Sequence, residues 1–395
     1  MNMDKADVVV VGGGLIGTSI AYRLAQRCLR VVLLDRGGIA AGTSGACDQA
    51  ILLQSKKPGR HLELAKASAR LFKTLEAELG ERIEYERHGG MIVIETEEQL
   101  RVMSGFVQKQ KEAGLPVNLI AASEAHRRQP GLAPHIVGAT WCDEDAQVNP
   151  LLLTFAFARA AKRSGADLRL GVTVTSLLTN GPRVIGVDTD QGPIMASWVV
   201  LATGPQTSQL AGAIGCDLPI RPRRGQLIIT EPLAPFICGD LNCARYIASK
   251  LDPTLAANST DPGVKLGVGL SLGQTASGNL LIGGSREFVG FDRSTTLEAV
   301  RAILQHALRI MPALAGVRAI RTMAGLRPFT PDSLPIIGLD HEHPGLVIAA
   351  GHEGDGIALS PITGVMVADL LTDGPAVELA RGLGLERFRR RKYLS

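Results

Sequence analysis

Three groups of residues in this chain have the types and spacing that chemistry on a bound ligand requires. The first is Gly12, Gly14 and Gly17 in VVVVGGGLIG, with Asp35 downstream. The second is HEGDG, His352 to Gly356, inside AAGHEGDGIALSPITG. The third is Arg327, in the proline-punctuated RTMAGLRPFTPDSLPIIG. A G-x-G-x-x-G turn ahead of a helix lets a pyrophosphate approach bare backbone, where free N–H groups and the helix dipole meet its charge. Gly12 permits the tight turn, Gly14 the approach of the phosphates, and Gly17 close packing of helix on strand. Asp35 accepts hydrogen bonds from a ribose diol and repels a 2′-phosphate. An arginine fork matches a carboxylate bidentately, a charged hydrogen bond worth roughly 1.5–3 kcal/mol. His352 has two open readings: it tunes or gates a redox site, or it bonds nearby backbone.

These groups need elements to hold them. Asp7 to Val11 reads as a strand buried on both faces, Leu15 to Cys28 as a helix opened by Leu15 and Ile16, and Arg30 to Leu34 as a second strand ahead of Asp35 and Arg36. A further βα unit does not follow. GGIAAGTSGACDQA comes instead, where small residues admit an extended ligand and the Thr43 and Ser44 hydroxyls can bond phosphate. Later, GVTVTSLLTNGPRVIGVDTDQGPIMASWVVLATGPQT reads as a β-meander turning at Gly181-Pro182 and Gln191-Gly192. Its Val172 or Val174 would cover an adenine. Its last strand would return Ala202 and Gly204 to the dinucleotide sheet, making that domain discontinuous. Gly345 to Gly351 is a strand and Ile357 to Leu371 a helix, so a second helix N-terminus faces a strand end. Two such loops suit FAD. The first takes the pyrophosphate. At the second, Gly354, Asp355, Gly356 and Ile357 bring N–H donors and a dipole to the flavin edge that gains negative charge on reduction. A nicotinamide dinucleotide has no use for the second loop.

Composition narrows the classes. The chain has 395 residues, enough for two domains, with 45 glycines and a formal charge of +4 spread among interspersed acids and bases. That is no nucleic-acid signature. No apolar run reaches bilayer length. The basic run RFRRRK, Arg387 to Lys392, reads as a solvated tail. Cys28, Cys47, Cys142, Cys216, Cys238 and Cys243 form no CxxC pair, so no metal or iron–sulfur site is expected. They read as reduced thiols of a cytoplasmic protein. The first strand starts almost at once, leaving no room for a signal peptide.

The fingerprint, GTSG, VVLATG, GLRPFTPDSLPIIG and AAGHEGDGI…PITG together resemble, in order and over essentially the whole chain, the FAD-dependent D-amino acid/glycine/sarcosine oxidase family. IGGSREFVGFDRSTT is similar to its subgroup with glycine oxidase, the catalytic subunit of hydrogen cyanide synthase, and the flavin (beta) subunits of D-hydroxyproline, proline and opine dehydrogenases. The resemblance implies an α/β (α+β) fold: a Rossmann-like FAD domain from residues 1–80, 145–218 and 322–395, and a substrate domain with a mostly antiparallel sheet from 81–144 and 219–321. It implies that Arg327 binds the substrate carboxylate beside the flavin, with Gly325 in the same segment. Gly354 stands where glycine oxidase has an arginine. No cysteine lies near the GLRP segment, where sarcosine oxidases attach their flavin, so FAD should be non-covalent. Leu281 and Ile282 stand where those oxidases place an oxygen-assisting lysine, which favours a dehydrogenase.

The expected reaction is oxidation of the Cα–N bond of an amino or imino acid by hydride transfer to flavin N5, as the catalytic subunit of a dye-linked dehydrogenase. Partner subunits would carry further redox centres, including an FMN at an interface. Alternatives are a stand-alone oxidase of glycine oxidase type, an electron-transfer or assembly subunit without its own substrate, and a nicotinamide enzyme. His352 and Tyr246 are further catalytic candidates, Tyr246 as a cap on the pocket. Gln54, Lys56 and Lys57 either line the site or an electron-transfer interface, or form an exposed loop.

Overall fold

The computed structural model describes residues 4–252 and 261–392 and builds them into two large sheets. In the first, Asp4–Val11 lies between Ile194–Leu201 and Val31–Asp35, parallel to both. Asp167–Leu170 extends one edge; Leu346–Ala350 and antiparallel Ile336–Leu339 extend the other. Val8 to Val11 are at most 5% exposed, as a parallel strand covered on both faces must be. One cover is helical, from Leu15–Gln26, Arg60–Leu79, Pro150–Arg163 and Gly356–Thr372. The other is the expected meander, Val174–Asn180 and Arg183–Thr189 running into Ile194–Leu201.

The helices that follow the two glycine loops cross in direct contact. A Cβ on Gly364 would stand 2.4 Å from Ser19 Oγ and 2.8 Å from the Ser19 carbonyl oxygen. Ser19 Oγ donates to the Ser360 carbonyl (2.8 Å), tying Leu15–Gln26 to Gly356–Thr372. Pro361 lacks the N–H that would reach the Ile357 carbonyl; Ser360 Oγ donates to that oxygen instead (3.0 Å).

The second sheet runs Ala319–Phe329, Arg221–Pro232, Asn279–Gly283, Ser271–Gln274, Asp240–Cys243, Gly90–Ile94, Gly138–Cys142 and Val117–Ala121. All its pairs are antiparallel except Asp240–Cys243 on Gly90–Ile94. Residue 322, a boundary in the sequence division, lies within Ala319–Phe329, which pairs with Arg221–Pro232 along its length. This strand carries Arg327 from the second sheet towards the first.

The basic run is not a solvated tail. It forms helix Glu386–Lys392, in which Arg387 Nε donates to Asp332 Oδ2 (2.8 Å) and Arg389 Nη1 to Asp340 Oδ1 (2.9 Å). The side chains of Arg390 to Lys392 lie outside the described residues.

Candidate active site

A cavity of about 630 Å³ runs along the C-terminal ends of the first sheet's strands. Gly12, Gly14, Leu15 and Ile16 form its floor at one point. Gly12 has φ +118°, and a Cβ there would lie 2.5 Å from the Ala202 carbonyl oxygen, so only glycine fits. Gly17 does not face the cavity. A Cβ on it would lie 1.9 Å from the Gly12 carbonyl oxygen, so this glycine serves helix–strand packing. Asp35 ends its strand as expected and holds the loop: its carboxylate accepts from the Gly13 and Gly37 N–H groups, both at 2.7 Å. Asp35, Arg36, Val172 and Val174 line one end of the cavity, with Ala202 and Gly204 beside them.

The hydroxyls of the small-residue segment have dual duties. Ser44 Oγ accepts from the Leu15 N–H (2.9 Å), capping the helix and leaving its own proton to donate. Thr43 Oγ1 donates to the Leu326 carbonyl (2.6 Å). Gly325 is required because a Cβ there would meet the Ala46 carbonyl oxygen at 2.3 Å. The second glycine loop closes the far end with His352, Glu353, Gly354, Gly356 and Ile357. Glu353 sits at φ +53°, and its N–H donates to the Pro328 carbonyl (3.1 Å), which docks the loop on the strand bearing Arg327.

The protein-family model for FAD-dependent oxidoreductases matches residues 7–370. The chain belongs to this family. It is 30% identical to hydrogen cyanide synthase subunit HcnC of Pseudomonas aeruginosa, with 92% of each chain covered. It is also 30% identical to the glycine oxidase of Geobacillus kaustophilus, with 93% of each covered. Among solved structures it resembles L-proline dehydrogenase from P. horikoshii, with TM-score 0.87, 29% identity, and coverage of 98% of this chain and 99% of that one.

The cofactor is therefore FAD, and the cavity fits it. Gly12 and Gly14 line the cavity at the N-terminus of helix Leu15–Gln26, where a pyrophosphate would meet bare backbone, and Gly354, Gly356 and Ile357 line its far end, where the flavin would lie. The nicotinamide alternative falls with the family. Cys47 also lines this cavity, a position not anticipated from the GLRP segment. Burial, then Asp48, pushes its thiol up, so it stays protonated and unreactive. Acid precipitation should release all the yellow colour into the supernatant; colour retained in the pellet would mean a covalent link.

His352 is 3% exposed, and its Nε2 lies 3.0 Å from Thr363 Oγ1. Burial lowers its pKa to about 4, so it is neutral at physiological pH and is no switch there. The sign follows. Unfolded, the ring takes a proton near pH 6.5; folded, it refuses one until about 4, so its contribution to stability falls as pH drops through that window. With saturating FAD, His352→Gln should gain stability relative to the parent between pH 7 and 4.5, by up to about 3 kcal/mol. Melting temperatures across that range would check this; a constant difference would refute it.

A second cavity, of about 340 Å³, opens from the first. Asp48, Leu227, Arg327, Glu353 and Gly354 line both, so they mark the junction. Arg327 Nη1 donates to the Ser285 carbonyl (2.9 Å), and its exposed part faces these cavities. Burial, then Arg286 and Arg223, brings its pKa down to about 10, so it remains charged. Tyr246 lies deeper, under the Arg286 guanidinium, 3.6 Å from ring centroid to Cζ. Glu353 is ion-paired with Arg223.

Asp355 departs from its expected cofactor role. It lines the second cavity, where its carboxylate pairs with Lys56 Nζ and with His61 Nε2 (2.8 Å). Burial opposes its charge, but Lys56 and His61 outweigh that and hold the carboxyl far below its usual range. Lys56 is thus neither an exposed loop residue nor a free active-site cation. Lys56→Met would strand the carboxylate and cost about 3–5 kcal/mol, read as a fall in melting temperature, with Lys56→Met/Asp355→Asn recovering part of it. Gln54 is 1% exposed and structural, donating to the Gly90 carbonyl (2.7 Å) and Asp145 Oδ2 (2.6 Å). Leu281 and Ile282 are buried in the second sheet and line neither cavity.

Sequence reading missed Asp48, Arg223 and Arg286. Arg286 lies in the quoted IGGSREFVGF and Asp48 in the quoted GGIAAGTSGACDQA, but neither carries a spacing that marks it. Cys216, Asp340 and His343 cluster closely enough to hold a metal ion. Their donors are committed: Asp340 bonds Arg389 and His343 Nδ1 (2.7 Å), and His343 Nε2 bonds the Ile214 carbonyl (3.0 Å).

Proposed function

We propose that the protein oxidises the Cα–N bond of an amino or imino acid at the junction of the two cavities. The observation that carries this is Arg327: a charged guanidinium, tethered by one backbone carbonyl, where the cofactor cavity meets a second cavity. There it would clamp a carboxylate and turn the adjacent Cα–H towards the flavin end. Bound FAD would supply a two-electron acceptor: the Cα–H would leave as hydride and the nitrogen proton would pass to Asp48, giving an imine that water can hydrolyse. Asp48, at the same junction, is the carboxylate that would hold the amine and receive its proton. Tyr246 closes the far side, and His352 positions the second loop as a neutral group.

Relatives named as a hydrogen cyanide synthase subunit and a proline dehydrogenase support a dehydrogenase working with partner subunits. Relatives named glycine oxidase keep the oxygen-using reading alive. The six unpaired cysteines support a cytoplasmic setting; no helix among the described residues is long and apolar enough to cross a membrane.

An anaerobic visible spectrum tests this. Adding glycine, sarcosine, D- or L-proline, D-hydroxyproline or octopine should bleach the flavin in at least one case. Readmitted air restores colour quickly in an oxidase and slowly in a dehydrogenase. A flavin that dithionite bleaches and no amine does would leave the electron-transfer subunit instead.

A further inference from the structure

The charges around the second cavity do not balance. Most of its acids and bases are committed, Lys56 and His61 to Asp355, Arg60 to Glu63, Glu353 to Arg223 and Asp332 to Arg387, and Lys57 is exposed to solvent. Three remain. Arg327 and Arg286 have no carboxylate within ion-pair distance among the described residues, although the Asp48 charge acts on both. Each is held by one backbone carbonyl, Ser285 for Arg327 and Gly267 for Arg286, both at 2.9 Å. Asp48 accepts from Ser271 Oγ (3.1 Å) and is otherwise without a partner among the described residues.

Their order in space is informative. Arg327 and Asp48 stand at the junction, facing the cofactor cavity as well. Arg286 lines only the second cavity, its guanidinium carbon 3.6 Å from the centroid of the Tyr246 ring. That contact shields the guanidinium on one side, and Nη1 is held by the Gly267 carbonyl. The two arginines repel each other through the low-dielectric interior. A second half-buried cation is unfavourable for a site that takes a single carboxylate, because the zwitterion of a simple amino acid would leave one guanidinium uncompensated.

We propose that the substrate is a secondary amine carrying two carboxylates, an N-carboxyalkyl amino acid, with Arg327 on the carboxylate beside the reacting carbon, Arg286 on the other, and Asp48 on the nitrogen between them. The charges then close: two guanidiniums and one carboxylate meet two carboxylates and one ammonium. A cavity of about 340 Å³ beyond the junction has room for the second arm. This rests on the reading of the site as an amine-oxidising one and narrows it.

Iminodiacetate and sarcosine make the test, since they differ only by the second carboxylate. In anaerobic stopped flow, the ratio of flavin-reduction rate to dissociation constant should be at least about tenfold higher for iminodiacetate, the factor one charged hydrogen bond supplies. Arg286→Met should pull that ratio down towards one, and Arg286→Lys should recover part of it. The parent ratio needs no variant, so a misfolded Arg286→Met protein leaves the proposal testable. Sarcosine, glycine or proline reducing the flavin as well as or better than iminodiacetate would overturn the proposal and leave the amine-oxidising reading intact. Failure of every amine to reduce a flavin that dithionite reduces would overturn both.

Discussion

Arg327→Ala should lower kcat/KM for the amine substrate by about 10²- to 10³-fold, the cost of leaving a buried carboxylate without its partner. The same change should not harm folding. Arg327 is a cation held close to two others, with its pKa depressed by burial and by Arg286 and Arg223, so removing it relieves repulsion. The melting temperature should therefore stay level or rise, and the flavin spectrum should persist. That combination separates a functional arginine from one that merely braces the strand. Gly225→Ala offers a finer probe from the neighbouring strand. Its new Cβ would lie 2.1 Å from Arg327 Nη1 and 2.4 Å from Cζ. The obstructed atoms are the end of a side chain, so the guanidinium shifts and the fold survives. A loss of about tenfold in kcat/KM is expected, the order of one charged hydrogen bond. If Arg327→Ala keeps kcat/KM within about threefold, where one hydrogen bond would already cost more, the carboxylate is held by something else.

Gly17→Ala should abolish FAD binding and destabilise the fold by more than about 4 kcal/mol, an exceptional value for one methyl group. The added carbon would sit 1.9 Å from the Gly12 carbonyl oxygen and 3.0 Å from its carbon. Both are backbone atoms of the phosphate loop, so no side chain can swing aside. Helix Leu15–Gln26 must lift from strand Asp4–Val11, and the cradle opens. Gly38→Ala is the control: a Cβ there meets nothing within 4 Å, so it should change stability by less than about 0.5 kcal/mol. Flavin absorbance per protein and thermal melts measure both. A yellow, normally stable Gly17→Ala protein would mean the loop is not the cradle described here.

How much of this was legible beforehand depended on whether a local rule constrained the residue. The first glycine loop was readable because each glycine answers a separate steric demand within a few residues, and Asp35 follows from strand length. The second loop was readable for the same reason, although Asp355 turned away from the cofactor because Lys56 and His61, far back in sequence, claim its carboxylate. Arg286 and Asp48 were not readable. Asp48 is followed by strand Ala50–Ile51 of a separate small sheet, while Arg286 follows Asn279–Gly283 of the second large sheet, and only the tertiary fold brings them to one cavity. The basic run misled because its composition matches a tail, while its acceptors, Asp332 and Asp340, lie outside any local window.

The Ser19–Gly364 crossing sets the distance between the two glycine loops within the polypeptide itself. Calipers with fixed jaws grip only an object of one length, and they grip it at both ends together. A cofactor seated on both loops would be held as a chelate. Were the pyrophosphate to let go, the flavin end would keep the freed end at high effective concentration over its cradle. Escape would require both ends to release at once, so a non-covalent flavin would stay in place through many catalytic cycles. An ADP or FMN half-molecule, filling one jaw, would exchange freely.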